Sequence, residues 1–245
     1  MWQQKRILEI IKHVISKGYN YCHHHSPAWE NDKKDQKAIP VDKIAGPGGD
    51  VGVCSAAGIT GDKGWKGIDC THYTSYGYNF GLGSHLVSLT GDQACGPNAP
   101  GKALPYTAND VDKLLPGDLL YIAANSKSNP LKVSHGIFWT GIKVTYDNGP
   151  FSFDTLLKNV PANQQAAVKK DVEDLKSKKK DVYVISDSHN AGPNYRIFAG
   201  WWKSAFTHAR RLINPDSTLP LNPKNASFDG KVCNVKKVVK SRRFR

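Results

Sequence analysis

A chain of 245 residues with 39% hydrophobic content is long enough to bury one sizeable core, so one domain with insertions is the expected organisation. Its 22 Gly, 14 Pro, six Trp and ten Tyr exclude a plain helical bundle and a disordered chain, and point to a loop-rich globular protein with aromatic residues both in the core and around a cleft. A net charge of +13 draws it toward polyanions, without separating nucleic acid from anionic envelope polymers or lipid headgroups.

No stretch approaches the roughly 18 consecutive apolar residues of a membrane-spanning helix, so a soluble chain is expected. The opening MWQQKRILEIIKHV mixes charged with apolar residues instead of showing a signal-peptide core; an export signal is expected to have been removed or never to have existed. Ile7, Leu8, Ile11, Val14 and Ile15 recur at helical spacing and Gly18 supplies a stop, which predicts an amphipathic helix over about 3–17, packed on the core. Cys22-His23-His24-His25 follows. Adjacent side chains do not readily converge on one ion, so these read as loop or cleft histidines and no metal is expected. The five cysteines, at 22, 54, 70, 95 and 233, contain no C-x-x-C pair. One free thiol would leave four for two disulfides, as suits an exported protein, while buried unpaired cysteines are the other ordinary reading. From Ser26 to Trp65 periodicity gives way to charge, Pro and Gly, the pattern of a surface insertion.

Asp69 stands where an N-cap would, before CTHYTSYGYNF, in which Cys70, Tyr73 and Phe80 share a helical face and Gly81 and Gly83 end the element. A Gly/Pro-rich stretch from Thr90 to Pro105 leads to a turn at Pro116-Gly117 and a short strand from Leu119 to Ala123. VSHGIFWTG, Val133 to Gly141, has strand character, with His135 within it or at its start and with His135, Ile137 and Trp139 facing one way. Pro161 opens a helix through ANQQAAVKKDVEDLKSKKK with Val168, Val172 and Leu175 on one face, read as part of a surface hairpin insertion. Asp181 to Asn190 returns to a strand whose alternation puts Asp187 and His189 on the same face. WWKSAFTHARRLI closes the fold as a strand or a short helix. Beyond Asn214, Pro-rich sequence leads to KVCNVKKVVKSRRFR, a basic tail with no acid after Asp229.

A thiol is a good nucleophile when it is largely thiolate, which the positive end of a helix and a nearby imidazolium both promote. Cys70 has the helix start, and His135 on a later strand can supply the imidazolium. Taken alone, Cys70 would read as a buried inert cysteine. The order of motifs argues otherwise: Tyr21 after an N-terminal helix, Asp69-Cys70-Thr71-His72 opening another, ALPYTAND from Ala103 to Asp110, the run Leu115 to Tyr121 (LPGDLLY), then SHGIFWTG with Gly141 six residues after His135.

This series, from about residue 5 to 213, resembles the NlpC-type cell-wall cysteine peptidases, whose motifs read Asp-Cys-Ser-Gly, Leu-Pro-Arg-Thr, Pro-Gly-Asp-Leu and His-Val-Gly-Ile-Tyr-x-Gly. His72 stands in place of a glycine, Tyr106 in place of an arginine, and Gly136 is displaced relative to the family's glycine, so the substrate pocket is expected to differ. Tyr21 is followed by Cys-His-His-His where the family has Trp-Gly-Gly.

The resemblance implies an α+β, papain-like fold with N-terminal helices packed on a central antiparallel sheet, a catalytic domain over 1–213 with insertions at about 26–65 and 142–180, and a basic tail at 214–245. It implies hydrolysis of peptidoglycan stem peptides, typically between D-glutamate and the following diamino acid, with Cys70 as nucleophile and His135 as base. Asp187 would be the third residue, since a carboxylate also stabilises the imidazolium, with His189 as the alternative. Tyr21 would lie near the thiolate and help bind the oxyanion; Asp69 would be a cap or a contact for the substrate amine; Ser134 joins the substrate contacts. No cofactor is implied. The expected setting is a secreted or periplasmic bacterial monomer that meets wall peptide at its cleft and anionic envelope polymers over its basic surface. Two other readings use the same residues: a papain-like acyltransferase or amidase with another substrate, and a catalytically idle basic protein binding envelope or nucleic acid. Specific nucleic-acid binding is not expected, because Phe244 is the one aromatic residue after Asp229.

Overall fold

The computed structural model describes residues 2–16, 21, 68–84, 86, 90–95, 99–123, 133–144, 162–177, 181–189 and 192–213. In chain order these form α1 (Trp2–Ser16), α2 (Cys70–Leu82), α3 (Thr90–Cys95), β1 (Lys102–Leu104), a 3-10 turn (Val111–Lys113), β2 (Leu119–Ile122) and β3 (His135–Val144). Then come α4 (Ala162–Ser177), β4 (Val182–Ser188), β5 (Pro193–Ile197), α5 (Gly200–Ser204) and β6 (Phe206–Arg211). The strands join in one sheet ordered β1-β6-β2-β3-β4-β5 with every neighbouring pair antiparallel, so the architecture is α+β. No helix among the described residues is long and apolar enough to cross a membrane.

Strand alternation divides the apolar residues between two cores. Leu119, Tyr121, Phe138 and Val184 pack in one cluster with Ile7, Ile11 and Val14 of α1 and Tyr73 and Tyr78 of α2. Their sequence neighbours Leu120, Ile137, Trp139 and Ile185 join Leu104, Phe198 and Ala209 in a second cluster. The helical spacing of Ile7, Ile11 and Val14 is thus spent on the first core, and α1 carries it out to Ser16.

The seam of α2 is built from small residues and hydroxyls. A Cβ on Gly77 would lie 2.6 Å from Phe138 Cζ, and one on Gly81 would lie 3.2 Å from Ile10 Cγ1, so glycine lets α2 touch β3 on one side and α1 on the other. Gly81 is therefore inside the helix, not at its end; Gly83 alone, at φ +65°, forms the left-handed cap. Tyr73 donates to Ser186 Oγ at 2.8 Å, and Ser186 donates on to the Asn194 carbonyl at 3.3 Å, which links α2 to β4 and β5 through buried groups. Tyr78 donates to the Gly117 carbonyl at 2.5 Å. Phe80 is only half-buried, its ring tilted against that of Tyr76 at 4.3 Å, because the inner stripe runs through Tyr73, Gly77 and Gly81.

Other differences from the sequence expectations have physical reasons. The Gly/Pro-rich stretch contains α3 and β1, whose connection is held by Arg210: its fully buried guanidinium donates to the carbonyls of Pro100 (2.7 Å), Gly101 (3.0 Å), Ala99 (3.2 Å) and Ala94 (3.3 Å). These bonds satisfy backbone acceptors that irregular structure would otherwise leave buried and unpaired. The helix α4 turns Lys169, Lys170 and Glu173 outward yet buries Val172 in the first core with Leu175 against it, so its i, i+3 pair makes it part of the packing. The closing WWKSAFTHARRLI run is both alternatives in turn, α5 followed by β6.

The α2–β3 contact gives a direct test. Gly77→Ala should gain about 1 kcal/mol of helix propensity. It must also displace Phe138, which is fully buried between Tyr73 at 5.3 Å and Tyr78 at 6.1 Å, and overpacking of this kind costs about 1–3 kcal/mol. The expected net result is a loss of up to about 2 kcal/mol in urea unfolding. A variant as stable as the parent would show that the Phe138 ring yields.

Candidate active site

The start of α2 is fixed by Asp69. Its extended backbone and buried carboxylate form the N-cap: Oδ1 accepts from the His72 amide at 2.7 Å, and Oδ2 from His72 Nδ1 at 2.8 Å. Both oxygens are turned onto the first helical turn, where they complement the helix dipole. Ser188, at the end of β4, donates to the Ile68 carbonyl at 2.5 Å and so binds the strand to the residue before the cap. Cys70 follows as the first residue of α2, 5% exposed and without a disulfide.

His135 is the first residue of β3 and is 5% exposed. Its Nε2 lies 2.5 Å from Asp187 Oδ1, and Cys70 is near enough for its charge to act on the imidazole. Burial by itself would push the imidazolium down. The Asp187 and Cys70 charges and the hydrogen bond to Asp187 outweigh burial and hold His135 well above the ordinary histidine range. The structure thus brings Cys70, His135 and Asp187 together from α2, β3 and β4.

Asp187 is fully buried. Its second oxygen, Oδ2, makes no hydrogen bond among the described residues, and neither does Arg196 Nη1. Arg196 lies on β5, two residues along from Asn194, the residue paired with Asp187, and its Nη2 donates to the His189 carbonyl at 3.4 Å. Burial lowers the Arg196 pKa while the Asp187 charge raises it, so the two groups sense each other across the strands.

His189 lies just past β4 and makes an edge-to-face contact with the His135 ring at 5.2 Å. Burial lowers its pKa; the Asp187 charge opposes this, while His135 and Arg196 add to it, so the ring is neutral near pH 7. Tyr21 is half-buried with its ring 6.2 Å from that of His189. Ser134 is exposed at the mouth of β3, its amide donating to the Ile122 carbonyl at 3.0 Å. The Cys22-His23-His24-His25 run, and the disulfide possibilities of Cys22, Cys54 and Cys233, lie outside the described residues; among the described residues no three His, Cys, Asp or Glu side chains are arranged to hold a metal.

Sequence reasoning missed one component. Trp201 and Trp202 of α5 stand beside the two histidines, with Trp202 5.6 Å from the His135 ring and 5.9 Å from His189, and Trp201 6.2 Å from His189. The signal was present: two adjacent tryptophans after Gly200, in a segment too short to bury both, leave Trp201 42% exposed. No family model, no curated protein and no solved structure matches this chain.

The pairing of His135 with Asp187 has a pH signature. A group whose folded-state pKa is raised contributes stability that is complete below its unfolded value, about 6.5, and lost as pH rises through the folded value. Nuclear magnetic resonance of the imidazole nitrogens should find His135 still protonated well above that range, and Asp187→Asn should bring its titration down. The melting-temperature gap between parent and variant should be widest near pH 6 and close at alkaline pH. A gap that does not change with pH would mean Asp187 contributes packing and no charge.

Proposed function

We propose that the chain is a cysteine peptidase of papain-like fold that hydrolyses peptidoglycan stem peptides at the bond between D-glutamate and the diamino acid that follows. The observation that carries this reading is the constellation itself: a buried cysteine at a helix start, near enough for its charge to act on a buried histidine whose Nε2 is 2.5 Å from a buried carboxylate. The likeness of the Cys70 and His135 motifs to the NlpC-type peptidases supplies the substrate class. A net charge of +13 suits a wall layer rich in carboxylates and phosphates, and a secreted or periplasmic setting.

In this mechanism the Cys70 thiolate attacks the peptide carbonyl carbon while the protonated His135 waits beside it. The developing oxyanion is met by the Cys70 backbone N–H, one of the helix-start donors that have no partner within the helix, and by the Tyr21 hydroxyl. His135 gives its proton to the departing amine as the C–N bond breaks, leaving a thioester on Cys70. The neutral imidazole then removes a proton from water, whose oxygen attacks the thioester carbonyl; the acid leaves and the thiolate–imidazolium pair is restored. Asp187 orients the ring throughout and stabilises its charged form.

Digestion of purified peptidoglycan, with the fragments weighed by mass spectrometry, tests both the bond and the residues. Fragments ending at D-glutamate should accumulate. Cys70→Ala and His135→Ala should each reduce the rate by at least about a thousandfold, and the double variant should be no worse than either, because nucleophile and base act as a unit. Wild-type turnover by Cys70→Ala would sink the proposal.

A further inference from the structure

Beside the thiol and imidazole lies a wall made entirely of rings. From His135 it passes to Trp202 at 5.6 Å and on to Trp201, whose ring meets that of Trp202 edge to face at 4.6 Å and 69°; His189 at 5.9 Å from Trp202 and Tyr21 at 6.2 Å from His189 continue it. Trp202 is half-buried against Phe198 and its neighbours in the second core, which anchors the pair, while Trp201 is 42% exposed. Among the described residues only Trp2, on α1, is another large apolar side chain with comparable exposure. An exposed tryptophan held against a catalytic-type histidine by a second, anchored tryptophan is a recognition element, not a core residue that failed to bury.

We propose that Trp201, with Trp202 and His189, forms a subsite for a neutral sugar ring, so that the substrate is stem peptide still joined to its amino sugar. The subsite extends the reading of Cys70 and His135 as a stem-peptide hydrolase and rests on it.

The wall's chemistry selects the occupant. Each ring has an apolar face together with a polar atom: indole N–H on the tryptophans, phenol O–H on Tyr21, imidazole nitrogens on His189. A pyranose has the same division, with C–H groups on one face and hydroxyl and acetamido groups around its edge. An acyl chain would use only the faces and leave the N–H groups without partners, which costs binding energy. A cation would be drawn to indole faces but would also meet the protonated His135 and the buried Arg196. An anion would face the negative side of the ring quadrupoles; His135 and Arg196 already have Asp187 as counter-charge, and His189, held neutral by burial, adds none. Reach is adequate as well: two residues of extended peptide span about 7 Å and the lactyl link to the sugar ring lengthens this, against ring contacts of 5.6 and 4.6 Å from His135 through Trp202 to Trp201.

The test compares one stem peptide in two forms, bare and carrying its N-acetylmuramoyl ring. The parent enzyme should cleave the sugar-bearing form with kcat/KM about tenfold higher, a difference of about 1.4 kcal/mol. Trp201→Ala should reduce that preference to nearly none, and Trp201→Phe should keep part of it. Equal cleavage of both forms by the parent, or an undiminished preference in Trp201→Ala, would overturn the subsite. A preference that follows the charge of the diamino side chain, or an added acyl chain, would overturn it in favour of an ammonium or a lipid. Binding is read separately by titrating Cys70→Ala with the N-acetylglucosaminyl-N-acetylmuramic acid disaccharide alone, its lactyl carboxyl capped as the neutral amide, and following indole N–H resonances. If neither peptide is cleaved by the parent, the hydrolase reading fails; a shift of the Trp201 resonance by the disaccharide would still support a sugar site, and no shift would remove it.

Discussion

Nothing but hydrogen separates the backbone of α2 at Gly77 from the ring of Phe138, and that approach determines where the reactive groups stand. Cys70 and His135 belong to elements far apart in sequence, and their separation is only as constant as the distance between helix and strand. Three polar contacts reinforce the seam: Tyr73 to Ser186, Ser186 to the Asn194 carbonyl, and Ser188 to the Ile68 carbonyl. Each such bond contributes about 1 kcal/mol when made, while a buried donor or acceptor left without one costs more. The seam is thus directional as well as close-packed, and it holds the end of β4, with Asp187, against the start of α2.

The buried charges at this seam work against stability. A carboxylate, an imidazolium and a guanidinium are all withdrawn from water within two adjacent strands and the start of a third, and their desolvation is offset mainly by one another. An apolar packing of the same volume would be at least as stable. What burial supplies is a medium in which the proton on His135 responds strongly to Asp187 and Cys70, and in which little solvent competes for the thiol. Asp69 completes the division of labour: by engaging both oxygens on the first turn of α2, it fixes the helix start without placing a second carboxylate against the imidazole.

Much of this was legible in the sequence because it depends on local rules. The Asp69 cap, the helix beginning at Cys70, the Pro116-Gly117 turn, and the strands carrying His135 and Asp187 follow from capping, turn chemistry and alternation. The choice between Asp187 and His189 could not be made locally, since alternation gives them the same parity; the hydrogen bond to His135 depends on how β3 and β4 pair, which is tertiary information. The connection through α3 and β1 was hidden for a similar reason. Its backbone is satisfied by Arg210, more than a hundred residues later, and no window of sequence contains both partners. Trp201 and Trp202 were visible as residues but not as a wall, because nothing in a dipeptide tells which strand's end it will stand beside.

The placement of β6 has a consequence for how the domain is completed. Ala209 pairs with Leu104 on one side and Leu120 on the other, so the last described strand lies between two that precede it by most of the fold. Pairings of such long range are slow to form, and a chain emerging from synthesis must hold β2 with an open edge until residues 206–211 arrive. During that interval the thiol, imidazole and carboxylate are already present on the chain, yet the wedge that locks the sheet is missing and with it the guanidinium that orders the α3–β1 connection. The sheet therefore cannot join β1 to β2 until residues 206–211 have been made, when almost the whole described domain is present.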